Sequence, residues 1–209
     1  MNNIHQNQAV LTRGVPLEEA EQVVILLHGR GATAESILIL ADYLPAKNTT
    51  YLAPQAGQQR WYPFSFMAPF ENNQPDLNQA LARVQELVNH VLENGIPVEK
   101  IWLAGFSQGA CLAAEFVAQN PRRYAGLLVF SGGRIGPPET KWPPVSGLEN
   151  LPVFIGCSDV DPHIPVERVH ETDAFFQQSA ASVLTKIYPN MGHTISDEEL
   201  TDALTVFTG

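Results

Sequence analysis

The stretch Gly105-Phe106-Ser107-Gln108-Gly109 follows the apolar run Ile101–Ala104 and opens a second one, Ala110–Ala114. A G-x-S-x-G pattern between a strand and a helix is the sequence form of a nucleophile elbow. In such a turn the glycines let the backbone bend sharply and leave the serine hydroxyl exposed above the helix N-terminus. A serine used this way needs a base, and the base needs an acid to orient it. In elbow proteins these partners follow in the order Ser, Asp/Glu, His, each on a loop after a later strand. Downstream of Ser107 the chain offers His163, His170 and His193. His193 ends the segment Tyr188-Pro189-Asn190-Met191-Gly192-His193, after the last expected strand, and fits the base. His170 falls within an expected helix, and His163 stands too close to the candidate acid to keep the order. The acid comes from the loop after Val153–Cys157, where Asp159 and Asp161 both qualify and spacing does not separate them. Either one alone would read as a turn former.

An oxyanion hole completes the chemistry. One donor is the backbone N–H of Gln108. The other comes from the loop His28-Gly29-Arg30-Gly31, with Arg30 N–H the expected group. The same loop supports a competing reading, since Gly29-x-Gly31-x-x-Ala34 after a strand satisfies a dinucleotide-binding fingerprint. That fingerprint wants a carboxylate about 20 residues on, where this chain has Ala53-Pro54-Gln55. A non-catalytic binding protein of the same architecture is the other contrasting reading, and such a protein usually lacks a member of the triad. Metal readings are weaker. Ala174 occupies the position that an H-E-x-x-H motif starting at His170 would give to histidine, and Glu167, His170 and Glu171 read as a solvated face. Asp159, Asp161 and His163 are the remaining group with ligand chemistry. The segment Trp61–Phe70 concentrates aromatics without period 2 or 3.6. It is read as a pocket wall that includes Trp61, Tyr62, Phe64 and Phe66, with core packing the alternative.

The elements that must hold these residues alternate along the chain. Strands are expected at Val23–Leu27, Thr50–Ala53, Ile101–Phe106, Gly126–Phe130, Val153–Cys157 and Val183–Tyr188. They are short continuous apolar runs, as strands buried on both faces require. Helices are expected near Ala34–Leu44, Leu77–Leu92, Gln108–Gln119, Val166–Gln178 and Asp197–Phe207, with Asp76 as N-cap of the second. The alternation implies right-handed crossovers and a mostly parallel sheet with helices on both faces. Two irregular segments, 55–74 and 132–150, read as loops over a face. Residues 1–209 are expected to form a single domain.

Composition narrows the partners. Twelve basic against 22 acidic residues leave a net charge of −10. That disfavours nucleic acid and anionic membranes. No apolar run approaches the ~18 residues of a membrane span. The polar start Met1–Gln8 does not read as a signal peptide. Cys111 and Cys157 lie apart in apolar stretches and read as buried thiols, so a cytoplasmic location is expected.

With Leu27–Gly31, Gly105–Gly109, Asp161-Pro162-His163-Ile164-Pro165 and Gly192-His193 in this order, the chain resembles the phospholipase/carboxylesterase family of small α/β-hydrolases. The resemblance runs from about Val23 to Phe207. It implies an α/β-hydrolase fold in its minimal form, without a separate lid domain. It also implies serine hydrolysis of esters or thioesters without a cofactor or metal, a small-molecule ester substrate, and a homodimer in several members. Carried over residue by residue, it makes Ser107 the nucleophile, His193 the base and, through an Asp-Pro-x-x-Pro segment, Asp161 the acid. After His28-Gly29 this chain has Arg30-Gly31-Ala32, where the thioesterase branch has an apolar residue followed by Gly-Asp. A carboxylesterase is therefore the expectation.

Overall fold

The computed structural model describes residues 3–209; Met1 and Asn2, the start of the segment read as lacking a leader, lie outside the described residues. Five parallel-type apolar runs form the centre of one sheet: β2 (Gln22–Leu27), β3 (Thr49–Pro54), β4 (Ile101–Phe106), β5 (Gly126–Phe130) and β6 (Pro152–Ser158). β7 (Ser182–Tyr188) and β1 (Val10–Gly14) close the two edges, and the strand order is β1-β3-β2-β4-β5-β6-β7. Only the β1–β3 pairing is antiparallel. β1 is absent from the sequence reading because its residues beyond Val10 are exposed, which leaves no apolar run to detect.

Apolar side chains of successive strand residues alternate between two cores. Val23, Ile25 and Leu27 of β2 pack with α2 (Asp76–Glu93), α3 (Gln108–Gln119) and α4 (Val166–Gln178). Val24 and Leu26 pack with α1 (Ala34–Ile37) and α5 (Asp197–Thr208) on the other face. The helix expected over Ala34–Leu44 is one α-helical turn followed by a 3-10 turn at Leu38–Asp42. The tighter winding, three residues per turn, stacks Ile37 above Leu40, and both are buried. In α2, Pro75 occupies the N-cap and Asp76 is the first helical residue; its carboxylate faces Arg60 at 3.5 Å instead of capping. An acid in the first turn still complements the helix dipole.

The segment after β5 is pinned by a buried ion cluster. Glu115 of α3 accepts two hydrogen bonds from Arg134 and one from the Ile135 N–H. Arg168 of α4 donates to the carbonyls of Arg134, Gly136 and Pro137. Gly136 N–H in turn donates to the Phe66 carbonyl, so the two irregular segments brace each other.

Chain direction along the sheet reverses between β2 and β4, which are neighbours although β3 lies between them in sequence. In open parallel sheets the crevice at such a switch point, beyond the strand carboxyl ends, is the usual ligand site. The loops that emerge there are His28–Gly31 and the turn at Ser107.

Candidate active site

Ser107 has φ 56° and ψ −120°, a backbone conformation that L-residues rarely adopt and that costs about 1–3 kcal/mol. Two glycines make the turn feasible. A Cβ at Gly105 would lie 2.5 Å from the Gly109 backbone, and one at Gly109 would lie 2.1 Å from the Leu27 carbonyl oxygen. Strand β4, the turn and α3 therefore pack closer than any side chain allows. Ser107 N–H is held by the Phe130 carbonyl of the neighbouring strand, and the hydroxyl is left facing the crevice side.

His193 and Asp161 meet that hydroxyl. His193 Nε2 stands 2.8 Å from Ser107 Oγ, and its Nδ1 stands 2.7 Å from Asp161 Oδ2. A carboxylate only accepts, so the ring proton belongs on Nδ1 and Nε2 is free to accept from the serine. Asp161 has a fully buried side chain, and its second oxygen accepts the N–H groups of His163 and Ile164. The imidazole is wedged between Phe106 and His163, with ring centroids 4.9 and 4.7 Å away. Asp159 points elsewhere: its carboxylate accepts the Asn190 N–H at 2.7 Å. Together with Ser158 Oγ, which accepts the Gly192 N–H, it ties the loop after β6 to the loop that carries His193.

The first loop sits directly over the nucleophile. A Cβ on Gly29 would already touch Ser107 Cβ at 3.4 Å. Neither Arg30 N–H nor Gln108 N–H has a protein acceptor among the described residues. The loop is shaped from below by His28, which is wholly buried. Burial pushes its pKa down, keeping it neutral. Its Nε2 accepts the Ala56 N–H, so Nδ1 carries the proton and donates to the Gly29 carbonyl. The dinucleotide reading finds little room here. The Thr33 and Ser36 side chains cap the short α1, and Gln55 accepts the Ala34 N–H, so first-turn amides are taken.

A cavity of about 510 Å³ opens at Ser107, lined among others by Arg30, Tyr62, Phe64, Phe66, Gln108, His163, Ile164 and His193. Three of the four expected wall residues are present. Trp61 is not; it is fully buried in the core, its indole N–H donates to the His28 carbonyl at 2.8 Å, and its ring lies against His5 and His28. It supports the loop from beneath and does not face the cavity. Gln108 contributes more than its N–H. Its side chain accepts from Trp61 N–H and donates to the Tyr62 carbonyl, which locks the aromatic segment to the elbow. The sequence reading missed this role, as it missed His5, whose ring accepts the Gly57 N–H and faces the Trp61 carbonyl. A buried histidine shows no periodic signal, and a side chain bonding a loop 46 residues away shows no local one. Among the described residues no group of three His, Cys, Asp or Glu is placed to hold a metal ion. No helix among them is long and apolar enough to cross a membrane.

Sheet order, strained serine turn and the three-residue chain behind it define an α/β-hydrolase. The sequence model of the phospholipase/carboxylesterase family matches residues 14–208, and the chain belongs to that family. Among curated relatives it is 30% identical to acyl-protein thioesterase 1 of Eremothecium gossypii, over 90% of this chain and 87% of that one. Among solved structures it is similar to a phospholipase/carboxylesterase from Dyadobacter fermentans, 40% identical, with 97% of each chain covered and a TM-score of 0.91. The Bacillus cereus carboxylesterase shares the fold at 18% identity and a TM-score of 0.75, with 100% of this chain and 99% of that one covered.

Proposed function

We infer that this chain hydrolyses carboxylic esters or thioesters of small molecules through an acyl-enzyme on Ser107. The carrying observation is the hydrogen-bonded chain Ser107–His193–Asp161, at 2.8 and 2.7 Å, beneath two N–H groups with no protein acceptor. In this reading Ser107 Oγ attacks the scissile carbonyl carbon while His193 Nε2 takes the hydroxyl proton. The carbonyl oxygen becomes an oxyanion and accepts from Arg30 N–H and Gln108 N–H, each such donor being worth ~2.7–4 kcal/mol. Collapse breaks the bond to the leaving oxygen or sulfur, and His193 returns the proton to that group. Water then repeats the sequence at the acyl carbon and releases the acid. Asp161 holds the imidazole in the required tautomer and offsets its positive charge in both halves.

The buried free thiols Cys111 and Cys157 support a cytoplasmic setting. A homodimer rests on the family resemblance and is checked by light scattering against the mass of one chain. The central test is Ser107→Ala, which should lower kcat by at least ~10³ because only binding and oxyanion effects remain. A fluorophosphonate should label the wild type at Ser107. Mapping of the adduct to another serine by mass spectrometry would overturn the assignment.

A further inference from the structure

The cavity at Ser107 carries no lining carboxylate, unlike two other clefts of the molecule. In a chain of net charge −10, no carboxylate lines it, and its one fixed charge is the Arg30 guanidinium. Two other clefts each include acidic residues: Asp197 in one, Glu18 and Glu86 in the other. Five of the other arginines, Arg13, Arg60, Arg83, Arg134 and Arg168, stand against carboxylates. Arg30 is exposed and has no carboxylate within ion-pair distance among the described residues. Its two terminal nitrogens donate to the carbonyls of Pro63 and Phe64, at 2.7 and 2.5 Å. A guanidinium has five N–H groups in a rigid fork, so three remain for a ligand. The two carbonyls hold the fork on the cavity wall, at the far end of the side chain whose own backbone N–H is the expected oxyanion donor.

We propose that Arg30 is a specificity-determining residue that selects esters bearing a carboxylate a few bonds from the scissile carbonyl. The proposal rests on the hydrolase reading above. A guanidinium preorganised by two carbonyls loses little entropy when it binds an anion. An acid-free wall avoids repelling that anion, which the surrounding net negative charge otherwise disfavours. His163, at the same wall, supplies a further polar edge. The competing account makes Arg30 a strap that only fixes the Pro63–Phe64 segment. A strap serves charged and neutral substrates alike, so the two accounts differ in a ratio.

The experiment measures kcat/KM for matched pairs, with product acids quantified by chromatography. One pair places the charge on the acyl side, monomethyl adipate against methyl hexanoate. The other places it on the alcohol side, the acetate ester of 4-hydroxybenzoate against that of 4-hydroxybenzamide. In each protein the charged-to-neutral ratio is taken, so any disturbance of the backbone donor cancels. Arg30→Gln should lower that ratio at least ~10-fold for one pair, the usual scale for a charge-assisted hydrogen bond, and Arg30→Lys should restore part of it. In the wild type the ratio should also fall between low salt and 0.5 M NaCl, because partly exposed charges are screened. This second readout stands even if Arg30→Gln does not fold. A ratio insensitive to both substitution and salt, with neutral esters still cleaved in a Ser107-dependent way, refutes the selection by Arg30 alone. Absence of Ser107-dependent cleavage of any ester refutes the underlying hydrolase reading.

Discussion

Glu199, in the first turn of α5, is fully buried, and neither carboxylate oxygen has a hydrogen-bond partner among the described residues. Its carboxyl lies over Gly156 of β6, where a Cβ would stand 2.1 Å from Oε1. Burial pushes its pKa from an ordinary 4.5 up to about 8, against an opposite pull from the Ser196 backbone; the negative charge of Asp161 adds a smaller effect in the direction of burial. The folded protein thus favours the protonated acid. A raised carboxyl pKa contributes stability that is fully present below the unfolded value and is lost as pH rises through the folded one. The loss runs from about pH 4.5 to about 8 at ~1.4 kcal/mol per pH unit, and reaches ~3 kcal/mol near pH 7. Glu199→Gln keeps the shape and removes the titration. The amide's own hydrogen-bonding cost shifts the whole curve without adding a slope. The difference in unfolding free energy, variant minus wild type, should therefore climb by ~3 kcal/mol between pH 4.5 and 7. For a chain of this size that moves the difference in Tm by roughly 6–12 °C. Thermal and urea unfolding of both proteins across pH 4.5–8 read it directly. All other titrating groups are common to the pair and cancel. Parallel stability curves over this range would refute the argument and place a charged Glu199 in the fold.

The remaining expectations concern the site and its support. Asp161→Asn should lower kcat on the order of 10⁴-fold through the wrong imidazole tautomer, whereas Asp159→Asn should cost far less, since its amide oxygen can still accept the Asn190 N–H; steady-state kinetics with the effects reversed would transfer the role to Asp159. Burial pushes the thiols of Cys111 and Cys157 up to about 12, so Ellman's reagent at pH 8 should find no reactive thiol in the native protein and two after guanidinium unfolding. Trp61→Ala should cost ~3–5 kcal/mol in stability, measured by urea unfolding; a changed acyl-length preference with an unaltered unfolding midpoint would return Trp61 to the cavity wall.

How much of this was legible in the sequence follows from where each signal resides. The central strands announced themselves because a strand buried on both faces is a continuous apolar run, and β4 and β5 end where the sequence reading places them, at Phe106 and Phe130. The serine turn was visible because two glycines at fixed offsets are demanded by backbone contacts of 2.5 and 2.1 Å. β1 was invisible for the complementary reason: an exposed edge strand needs no apolar residues. The aromatic segment was read as one surface, and the structure divides it within two residues. Trp61 and Tyr62 are consecutive and both buried, yet only Tyr62 lines the cavity. The division depends on Gln108, His28 and His5, which reach the segment from elsewhere in the chain, and no local period encodes such partners.

The choice between Asp159 and Asp161 shows the same boundary more finely. In the sequence, turn former and orienting acid stand as competing readings of each aspartate. In the structure Asp161 has both geometries at once, one for each oxygen. Oδ1 accepts the N–H groups of His163 and Ile164, the Asx-type turn that aspartate favours before a loop. Oδ2 is thereby aimed at His193 Nδ1. The turn fixes the carboxylate plane, and the fixed plane presents the second oxygen to the ring, so the local role is the means of the distant one. Asp159 also organises backbone, but its partner is Asn190, in the loop that delivers the histidine. One aspartate therefore positions the ring's loop and the other positions the ring. Spacing along the chain cannot separate these tasks, because both residues occupy the same loop and both accept backbone N–H groups; only the second oxygen of Asp161 distinguishes them.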